Sequence, residues 1–478
     1  AQCLIEELVR CGVDTFFVAP GSRSTPLTVA VARHDAARAV LHVDERGTAF
    51  AALGYGRATG RPAGWITTSG TAVANGFPAV VEASTDGVPM LLLTADRPPE
   101  RRDTGANQTV DQVKIFGDTV RWQVDVPPPS ADVDPAYVLT TVDQAVHRAV
   151  RLPPGPVHLN CMYRKPLEPA PSSEPVSVPS ALETWSTLDT PFTTYPTPTP
   201  QPSKADVHAL AEEIQGVARG LVVAGRLDTA TEAEAAVQLA DHLGWPLLPD
   251  VTSRLRLGPV AEASRIAYAD QVLTSNSFRE TVDPDAVVQV GGRFVSKRLR
   301  LFLRDTEPLV WAVLRQDPGR IDPDHRVTHH VESGTAAILA ALRSRLPGEA
   351  GESDRHRAYR TAWREADRQA ARVVRSFLQD AEQTQTFSEP LVAHDVARHV
   401  PPDHVIVAAS SMPVRDLNRY GSPEGEAVPV VANRGASGID GTVATAAGVA
   451  EGAGAPVTLL VGDLALWHDL NSLALLDG

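Results

Sequence analysis

Residues 433–471 read NRGASGIDGTVATAAGVAEGAGAPVTLLVGDLALWHDLN, and this stretch decides the fold class. Residues 433–441 are a loop with three glycines and an arginine, and residues 442–452 are small and alanine-rich, as in a closely packed helix. Residues 456–461 are a short apolar run, which we interpret as a buried parallel strand. A carboxylate that directly follows such a strand lies at the carboxyl edge of a sheet, where α/β proteins bind ligands.

The carboxylate in that place is Asp463, which follows Gly462. It could hold a divalent cation, since hard oxygen ligands suit Mg²⁺. The alternative is that it caps the next helix, a common role for Asp at this position. A Gly-Asp pair alone discriminates poorly between the two, but the glycine loop before it and Asp469-Leu470-Asn471 after it favour a ligand site.

The same alternation of apolar runs and helical stretches recurs along the chain. The predicted strands are residues 14–18, 40–43, 64–68, 88–93, 157–160, 221–225, 286–290, 309–314 and 405–409. The predicted helices include residues 27–33, 72–84, 231–243 and 357–381. Strands that alternate with helices predict the α/β class, with parallel sheets covered on both faces.

Composition shifts divide the chain into five parts. Residues 1–170 are a first unit, and residues 171–203 are rich in Pro, Ser and Thr, which predicts an extended connector without folded elements. Residues 204–347 are a second unit, residues 348–384 a glycine-rich acidic linker and a helix, and residues 385–478 a third unit. We therefore expect three doubly wound parallel-sheet domains.

Several classes of protein are disfavoured by composition and motifs. The net charge of -14 argues against a nucleic-acid partner. No Walker motif is present and no GxGxxG follows a strand, which disfavours P-loop and nicotinamide enzymes. Apolar runs are too short to cross a membrane, so no membrane insertion is expected. Three cysteines without a CxxC pair fit a reducing cytoplasm.

Nine motifs together resemble one family. They are APGSRSTPL (19–27), VDERG (43–47), TSGTAVAN (68–75), LTADRPPE (93–100), GANQT (105–109), GPVHLNC (155–161), SSMPVRD (410–416), NRGASGIDG (433–441) and GDLALWHDLN (462–471). They resemble the MenD family, the thiamine-diphosphate-dependent 2-succinyl-5-enolpyruvyl-6-hydroxy-3-cyclohexene-1-carboxylate synthases of menaquinone biosynthesis.

The resemblance implies a pyrimidine-binding, a central and a diphosphate-binding domain. It also implies thiamine diphosphate with Mg²⁺ or Mn²⁺, 2-oxoglutarate and isochorismate as substrates, and a site shared between subunits of a dimer or tetramer. Asp463 would be one metal ligand. The second ligand of the class comes some tens of residues later, beyond Gly478, and Leu464 stands where the class has glycine. We therefore expect that the sequence is a fragment, with the third domain incomplete at its C-terminus.

Glu45, in VDERG, matches the family's catalytic carboxylate. A carboxylate that hydrogen-bonds to the pyrimidine ring favours the imino tautomer, which removes the thiazolium proton. An isolated DER would instead be a surface charge near a helix start. Gln108 is the second implied catalytic residue. The resemblance implies cofactor contacts for Glu45, Ser411, Gly435, Ser437, Gly438, Ile439, Gly462 and Asp463.

Substrate contacts are implied for Ser22, Arg23, Arg97, Asn107, Lys297, Arg298, Ser411, Arg415 and Arg434. Arg415 and Arg434 would hold the distal carboxylate of 2-oxoglutarate, since a guanidinium binds a carboxylate with two parallel hydrogen bonds. Local ion pairs with Asp416 and Asp440 are the alternative. Arg23 and Arg97 would bind isochorismate from the carboxyl ends of strands.

Lys297 and Arg298 either belong to the same acceptor site or lie on a solvated helix face.

Two rival functions remain. One is another thiamine-diphosphate enzyme, such as a 2-oxoacid decarboxylase or an acetolactate-synthase-like protein, whose substrates carry fewer carboxylates. The other is a catalytically dead binding homologue.

Overall fold

The computed structural model describes residues 1–168, 182–260, 265–347 and 353–476. The strands are β1 Thr15–Val18, β2 Arg38–Leu41, β3 Ala63–Thr67, β4 Met90–Asp96, β5 Trp122–Val126, β6 Pro156–Met162, β7 Gly220–Ala224, β8 Leu247–Pro249, β9 Ala286–Val290, β10 Val310–Arg315, β11 His329–Glu332, β12 Val405–Ala408, β13 Val430–Val431 and β14 Val457–Leu460. The α-helices are α1 Gln2–Arg10, α2 Thr25–Ala32, α3 Glu45–Thr59, α4 Thr71–Asn75, α5 Phe77–Asp86, α6 Ala136–Val150, α7 Glu183–Ser186, α8 Lys204–Ile214, α9 Ala230–Leu243, α10 Ala269–Val272, α11 Asn276–Thr281, α12 Lys297–Asp305, α13 Thr335–Arg345, α14 Asp354–Gln383, α15 Glu389–His399, α16 Met412–Tyr420, α17 Thr442–Ala453 and α18 Asp463–His468.

The chain forms two compact units. The first comprises Ala1–Thr197, Asn433–Val457 and Asp463–Gly478, and the second comprises Pro198–Ala432 and Thr458–Gly462. Residues of the predicted third domain are thus found in both units. The five-part division of the sequence stays a prediction.

The first unit is built on a six-stranded sheet in the order β2-β1-β3-β4-β6-β5, with every neighbouring pair parallel. Alternate side chains of its strands enter two separate cores, because successive residues of a strand point to opposite faces. Phe16 and Leu91 belong to one core, and Phe17 and Leu92 belong to the other. Both faces are therefore covered, as predicted.

The second unit contains a five-stranded parallel sheet in the order β11-β10-β9-β7-β8. It also contains a small sheet in the order β13-β12-β14, in which β12 and β13 are parallel. Local signals start and stop its helices: α9 begins with a capping box formed by Thr229 and Glu232, and it ends at Gly244 with φ of 65°. The predicted α/β class with three parallel sheets is confirmed.

Two predicted elements need correction. The predicted helix at residues 72–84 is two helices, α4 and α5, because Pro78 lies at the start of α5 and cannot continue a helix from the preceding turn. The strand predicted as buried at residues 456–461 is β14, which lies at the edge of its sheet and is half-buried along its length. A hydrophobic run does not reveal whether its strand is central or at an edge.

The connector predicted to be extended contains a short helix, α7, so that prediction is wrong for residues 183–186. Residues 194–202 form no helix or strand, as predicted. Trp185 of α7 is buried, its ring contacts the Arg10 guanidinium at 4.1 Å, and its Nε1 donates to the Glu7 carboxylate at 2.6 Å. The backbone N–H of Phe192 donates to the same carboxylate. Residues 169–181 of the connector lie outside the described residues.

This anchoring predicts a pH dependence of stability. Burial of the Glu7 carboxyl, followed by its hydrogen bond with Asp143, raises the pKa of Glu7 to about 7. Because the folded state favours the protonated form, this contribution to stability is complete below the usual Glu pKa of about 4.5 and is lost as pH rises through about 7. The Glu7→Gln variant loses one hydrogen-bond acceptor, which by itself should lower its Tm by a constant amount at every pH. Between pH 5 and 8, we expect its Tm to fall less than the Tm of the wild type. A difference in Tm from the wild type that stays constant over this range would contradict the assignment.

None of the helices in the described part of the chain is both long and apolar enough to span a bilayer.

Candidate active site

A cleft of about 660 Å³ opens in the first unit, at the carboxyl ends of β1, β4 and β6. Loops that follow parallel strands meet at one edge of the sheet, so residues far apart in sequence come together there. The cleft is lined by Ser22, Arg23, Arg97, Pro98, Glu100, Arg101, Ala106, Asn107, Gln108, Arg164 and Lys165. Five of the predicted substrate or catalytic residues therefore share one cavity.

The charge of the cleft is strongly positive. Four arginines and Lys165 line it, against the single carboxylate of Glu100. Arg164 forms an ion pair with Glu100 at 2.8 Å, whereas neither Arg101 nor Lys165 has an ion-pair partner in the described residues. Such a cavity favours a ligand with more than one negative charge.

Arg23 and Arg97 are held in place by neutral acceptors. Arg23 is buried and donates to the backbone oxygen of Tyr163 at 2.7 Å. Burial, followed by the charge of Arg97, lowers the pKa of Arg23. Arg97 donates to Ser69 Oγ at 2.6 Å and to the backbone oxygen of Asn107 at 2.8 Å. These neutral partners do not compensate the charges of the two guanidinium groups. A bound anion would therefore reduce the repulsion between Arg23 and Arg97.

Gln108 occupies a strained turn of the loop that follows β4. Its φ of 55° lies in the left-handed region, which non-glycine residues rarely adopt. The turn is cross-braced to Ser69: Gln108 Nε2 donates to the Ser69 backbone oxygen at 2.9 Å, and Ser69 Oγ donates to the Gln108 backbone oxygen at 3.1 Å. Strained residues held by their surroundings are typical of functional sites.

Glu45 lies in the same unit, as the first residue of α3, but it is not among the residues that line the cleft. The side chain of Asp44 caps the helix by accepting from the N–H groups of Arg46 and Gly47. Glu45 is half-buried, and Asn75 Nδ2 donates to its Oε2 at 3.3 Å. Its carboxylate keeps acceptor capacity for a ligand.

The glycine loop at residues 433–441 is also part of the first unit, and a buried carboxylate holds it. The N–H groups of Gly435, Ala436 and Ser437 donate to Glu82 at 2.8, 2.6 and 3.2 Å. Arg57 forms an ion pair with Glu82 at 3.2 Å. Two predicted cofactor-binding residues, Gly435 and Ser437, therefore direct their backbone donors at Glu82. Arg434, Gly438 and Ile439 lie half-buried or exposed in the same loop.

Asp463 is exposed and begins α18 after the edge strand β14. Its Oδ1 accepts from the Leu464 N–H at 2.8 Å. In the residues that the structure describes, the one cluster of three candidate metal-ligating side chains is Glu7, Cys11 and Asp143, so Asp463 is not part of such a cluster. It offers a single oxygen-donor side chain.

The remaining predicted site residues belong to the second unit. Ser411 has a φ of 72° and precedes α16, on whose exposed surface Arg415 lies. No ion pair joins Arg415 to the buried Asp416 in the described residues, which removes one alternative to ligand binding. Burial, followed by the charge of Glu389, raises the pKa of Asp416 to about 6.

Lys297 and Arg298 open α12, and both are exposed. Arg298 Nη1 donates to the backbone oxygen of Asp270 at 3.0 Å, which fixes part of its guanidinium. Gly462 follows β14 and is half-buried. The structure thus brings Ser22, Arg23, Arg97, Asn107 and Gln108 together in the cleft of the first unit. The predicted site residues of the second unit are not among those that line this cleft.

Several residues that line the cleft lie outside the sequence motifs. Arg101 and Arg164 follow the quoted motifs by one and three positions, so no motif included them. Lys165 is one of only four lysines in an arginine-rich chain, and that rarity was a usable signal. Glu82 gave no signal, because a carboxylate on a helix is ordinarily solvated.

Two families of known proteins match parts of this chain. Residues 1–115 match the family described as thiamine pyrophosphate enzyme, N-terminal TPP binding domain, and residues 177–407 match the middle domain of thiamine pyrophosphate enzymes. A 2-succinyl-5-enolpyruvyl-6-hydroxy-3-cyclohexene-1-carboxylate synthase of Salinibacter ruber is 64% identical over 475 residues, which are 99% of this chain and 79% of that protein.

Two further relatives carry the same name. The synthase of Rubrobacter xylanophilus is 56% identical over 100% of this chain and 81% of its own length. The synthase of Chlorobaculum tepidum is 42% identical over 99% of this chain and 79% of its own length. The chain therefore belongs to the 2-succinyl-5-enolpyruvyl-6-hydroxy-3-cyclohexene-1-carboxylate synthase family of thiamine-diphosphate enzymes.

Proposed function

We propose that this chain decarboxylates 2-oxoglutarate and joins the remaining four-carbon succinyl unit to isochorismate, a step of menaquinone biosynthesis. One carbon–carbon bond breaks as CO₂ leaves, and one forms to the acceptor. The observation that supports the proposal is the cationic cleft of the first unit. Isochorismate carries two carboxylates, and the cleft presents Arg23, Arg97, Arg101 and Lys165 with no bound carboxylate of their own in the described residues.

The polar groups of the cleft suit the rest of the acceptor. Ser22 and Asn107 are exposed in the cavity and can hydrogen-bond to hydroxyl or enol-ether oxygens. Gln108 lies beside them in the cross-braced turn. We assign Gln108 the second catalytic role, orienting the acceptor where its new bond forms. Orientation of this kind lowers a barrier because less motion is lost in reaching the transition state.

Thiamine diphosphate, when bound, supplies the electron sink that makes the decarboxylation possible. The described residues fit it in part. Glu45 offers a half-exposed carboxylate for the pyrimidine ring, and Asp463 offers an exposed oxygen ligand to Mg²⁺ or Mn²⁺. The N–H groups of Gly435 and Ser437 would have to leave Glu82 before they could bind a diphosphate. Gly438, Ile439, Gly462 and Ser411 are the other proposed cofactor contacts.

For the donor, we propose that Arg415 and Arg434, with Ser411, bind the distal carboxylate of 2-oxoglutarate. For the acceptor, we propose that Lys297 and Arg298 supply further positive charge. Arg298 Nη1 is engaged by a neutral carbonyl, so its charge is available to a ligand. Arg415 is the clearest test case, because it is exposed and has no ion pair in the described residues.

The Arg415→Ala variant should raise the KM for 2-oxoglutarate by about tenfold or more. A lost charge-assisted hydrogen bond costs on the order of 1.5–3 kcal/mol, and 1.4 kcal/mol is about a factor of ten. Steady-state kinetics with 2-oxoglutarate varied at saturating isochorismate give this constant. Arg398→Ala, which removes an exposed arginine from α15, is the matched control and should leave KM unchanged. Equal KM values for Arg415→Ala and the wild type would refute the role.

The assay that tests the function supplies isochorismate, 2-oxoglutarate, thiamine diphosphate and Mg²⁺, and it measures CO₂ release and the consumption of both substrates. Equimolar consumption supports the proposal. Turnover of pyruvate in place of 2-oxoglutarate would favour an acetolactate-synthase-like enzyme or a simple decarboxylase. Cofactor binding without turnover of any 2-oxo acid would favour a binding homologue.

We also propose a dimeric or tetrameric enzyme located in the cytoplasm. The proposal rests on the resemblance, which implies a site shared between subunits, with Glu45 and Asp463 in its two cofactor-binding halves. Sedimentation velocity of the active enzyme checks this. A fully active monomer would contradict it.

A further inference from the structure

A buried amide lies beneath the cleft. Gln112 is 1% exposed and follows Gln108 in the same loop. Its Oε1 accepts from the Gly70 N–H at 2.9 Å, and its Nε2 donates to the Ala95 backbone oxygen at 3.2 Å and to Asn160 Oδ1 at 2.9 Å. The side chain therefore joins the loop to segments at the ends of β3, β4 and β6. Both donor hydrogens and one acceptor site are used, so the amide cannot turn without losing bonds.

The hydrogen bonds of Asn160 set the orientation of the Gln112 amide. Asn160 Nδ2 donates to Asp96 Oδ2 and to Asp125 Oδ1, each at 2.9 Å. Ionised carboxylates only accept, so the NH₂ group of Asn160 must face them and its oxygen must face Gln112. Arg102 holds both carboxylates, donating to Asp96 at 2.9 Å and to Asp125 at 2.8 Å. The NH₂ group of Gln112 is thereby turned toward Asn160, and its oxygen is turned toward Gly70.

Through Gly70, the hydrogen bonds of the Gln112 amide also connect to residues of the cleft. Gly70 follows Ser69, which exchanges two hydrogen bonds with Gln108 and accepts one from Arg97. Gly70 has a φ of 89°, a conformation that its N–H bond to Gln112 helps to hold. A shift of Gly70 would also move Ser69, whose oxygens accept hydrogen bonds from Gln108 and Arg97.

We propose that Gln112 is a positioning residue for Gln108 and Arg97, acting through the turn at Ser69-Gly70. The buried carboxylates Asp96 and Asp125 set its orientation through Asn160. For its kinetic consequences the inference rests on the proposed function, because it concerns the use of isochorismate in the cleft.

The informative variant is Gln112→Glu, which keeps the shape of the side chain. Its ionised carboxylate would face two acceptors, Ala95 O and Asn160 Oδ1, whereas its protonated form can donate to one of them and still accept from Gly70. Burial among acceptors raises the pKa of such a carboxyl. We expect kcat/KM for isochorismate to fall at least tenfold at pH 8 and to recover in part, relative to the wild type, at pH 6. The KM for 2-oxoglutarate should change less than twofold.

Gln112→Met, an uncharged side chain of similar length, should lose the same kcat/KM without recovery at low pH, and it serves if the charged variant does not fold. Gln144→Glu on α6 is the matched control, since a carboxylate there can still accept from the Tyr195 hydroxyl. Hydrogen exchange of peptides spanning residues 68–71 and 105–112 should be faster in both Gln112 variants and unchanged in the control.

Wild-type kinetics and exchange in both Gln112 variants would overturn the inference. Equal losses with both substrates, without pH recovery, would also overturn it, because they indicate general destabilisation. If the wild-type enzyme itself lacks synthase activity, the proposed function fails. The exchange of the two peptides then decides whether Gln112 positions the turn.

Discussion

Replacing Glu45 by Gln should lower kcat by at least a hundredfold while the protein stays folded. Proton transfer assisted by a positioned side chain is worth about 10²–10⁴-fold in rate, and a neutral amide cannot stabilise the imino tautomer as a carboxylate does. Glu45 is half-buried at the start of α3, and its contact with Asn75 can be kept by the Gln oxygen. The fold should therefore tolerate the change.

The measurement is steady-state turnover at saturating substrates, with thiamine diphosphate binding followed by calorimetry. Glu6→Gln provides the control, since Glu6 is a partly exposed carboxylate of α1 that pairs with Arg10 outside the cleft. We expect the control to keep its activity, because pairs near the surface contribute only about 0–1 kcal/mol. Near-normal turnover of Glu45→Gln with cofactor bound would remove Glu45 from the catalytic role.

Replacing Arg97 by Ala should weaken the use of isochorismate far more than the use of 2-oxoglutarate. The variant removes a charge from the cleft together with the hydrogen bonds to Ser69 and Asn107. A lost charged contact of about 1.5–3 kcal/mol predicts a fall in kcat/KM for isochorismate of roughly tenfold to a hundredfold. Kinetics with each substrate varied in turn measure both effects.

Two additional variants separate charge from geometry. Arg97→Lys keeps the charge but loses the planar fork, so it should fall between Arg97→Ala and the wild type. Arg33→Ala removes an exposed arginine just after α2 and should have no kinetic effect. Arg23→Ala should resemble Arg97→Ala, with an additional loss of stability because Arg23 is buried and bonded to Tyr163. If only the constant for 2-oxoglutarate moves, these arginines do not form the acceptor site.

The sequence by itself determined the α/β class, the positions of most strands and the family. The reason is that these properties depend on local signals. The apolar run at residues 286–290 indicates β9 without reference to any other segment. Motifs such as APGSRSTPL and GANQT are continuous in the chain, so Arg23, Asn107 and Gln108 could be named before any fold was known.

Only the tertiary structure decided which groups share an environment. Arg164 and Lys165 join the cleft because β6 lies beside β4 in the sheet, although they are more than fifty residues from Arg97 in the chain. Glu82 holds the loop at Gly435, and Gln112 is oriented by carboxylates on β4 and β5, through pairings that span long sequence separations. No local pattern encodes such contacts, because hydrogen-bond partners are close in space, and the order of the strands and the packing of the helices set that distance.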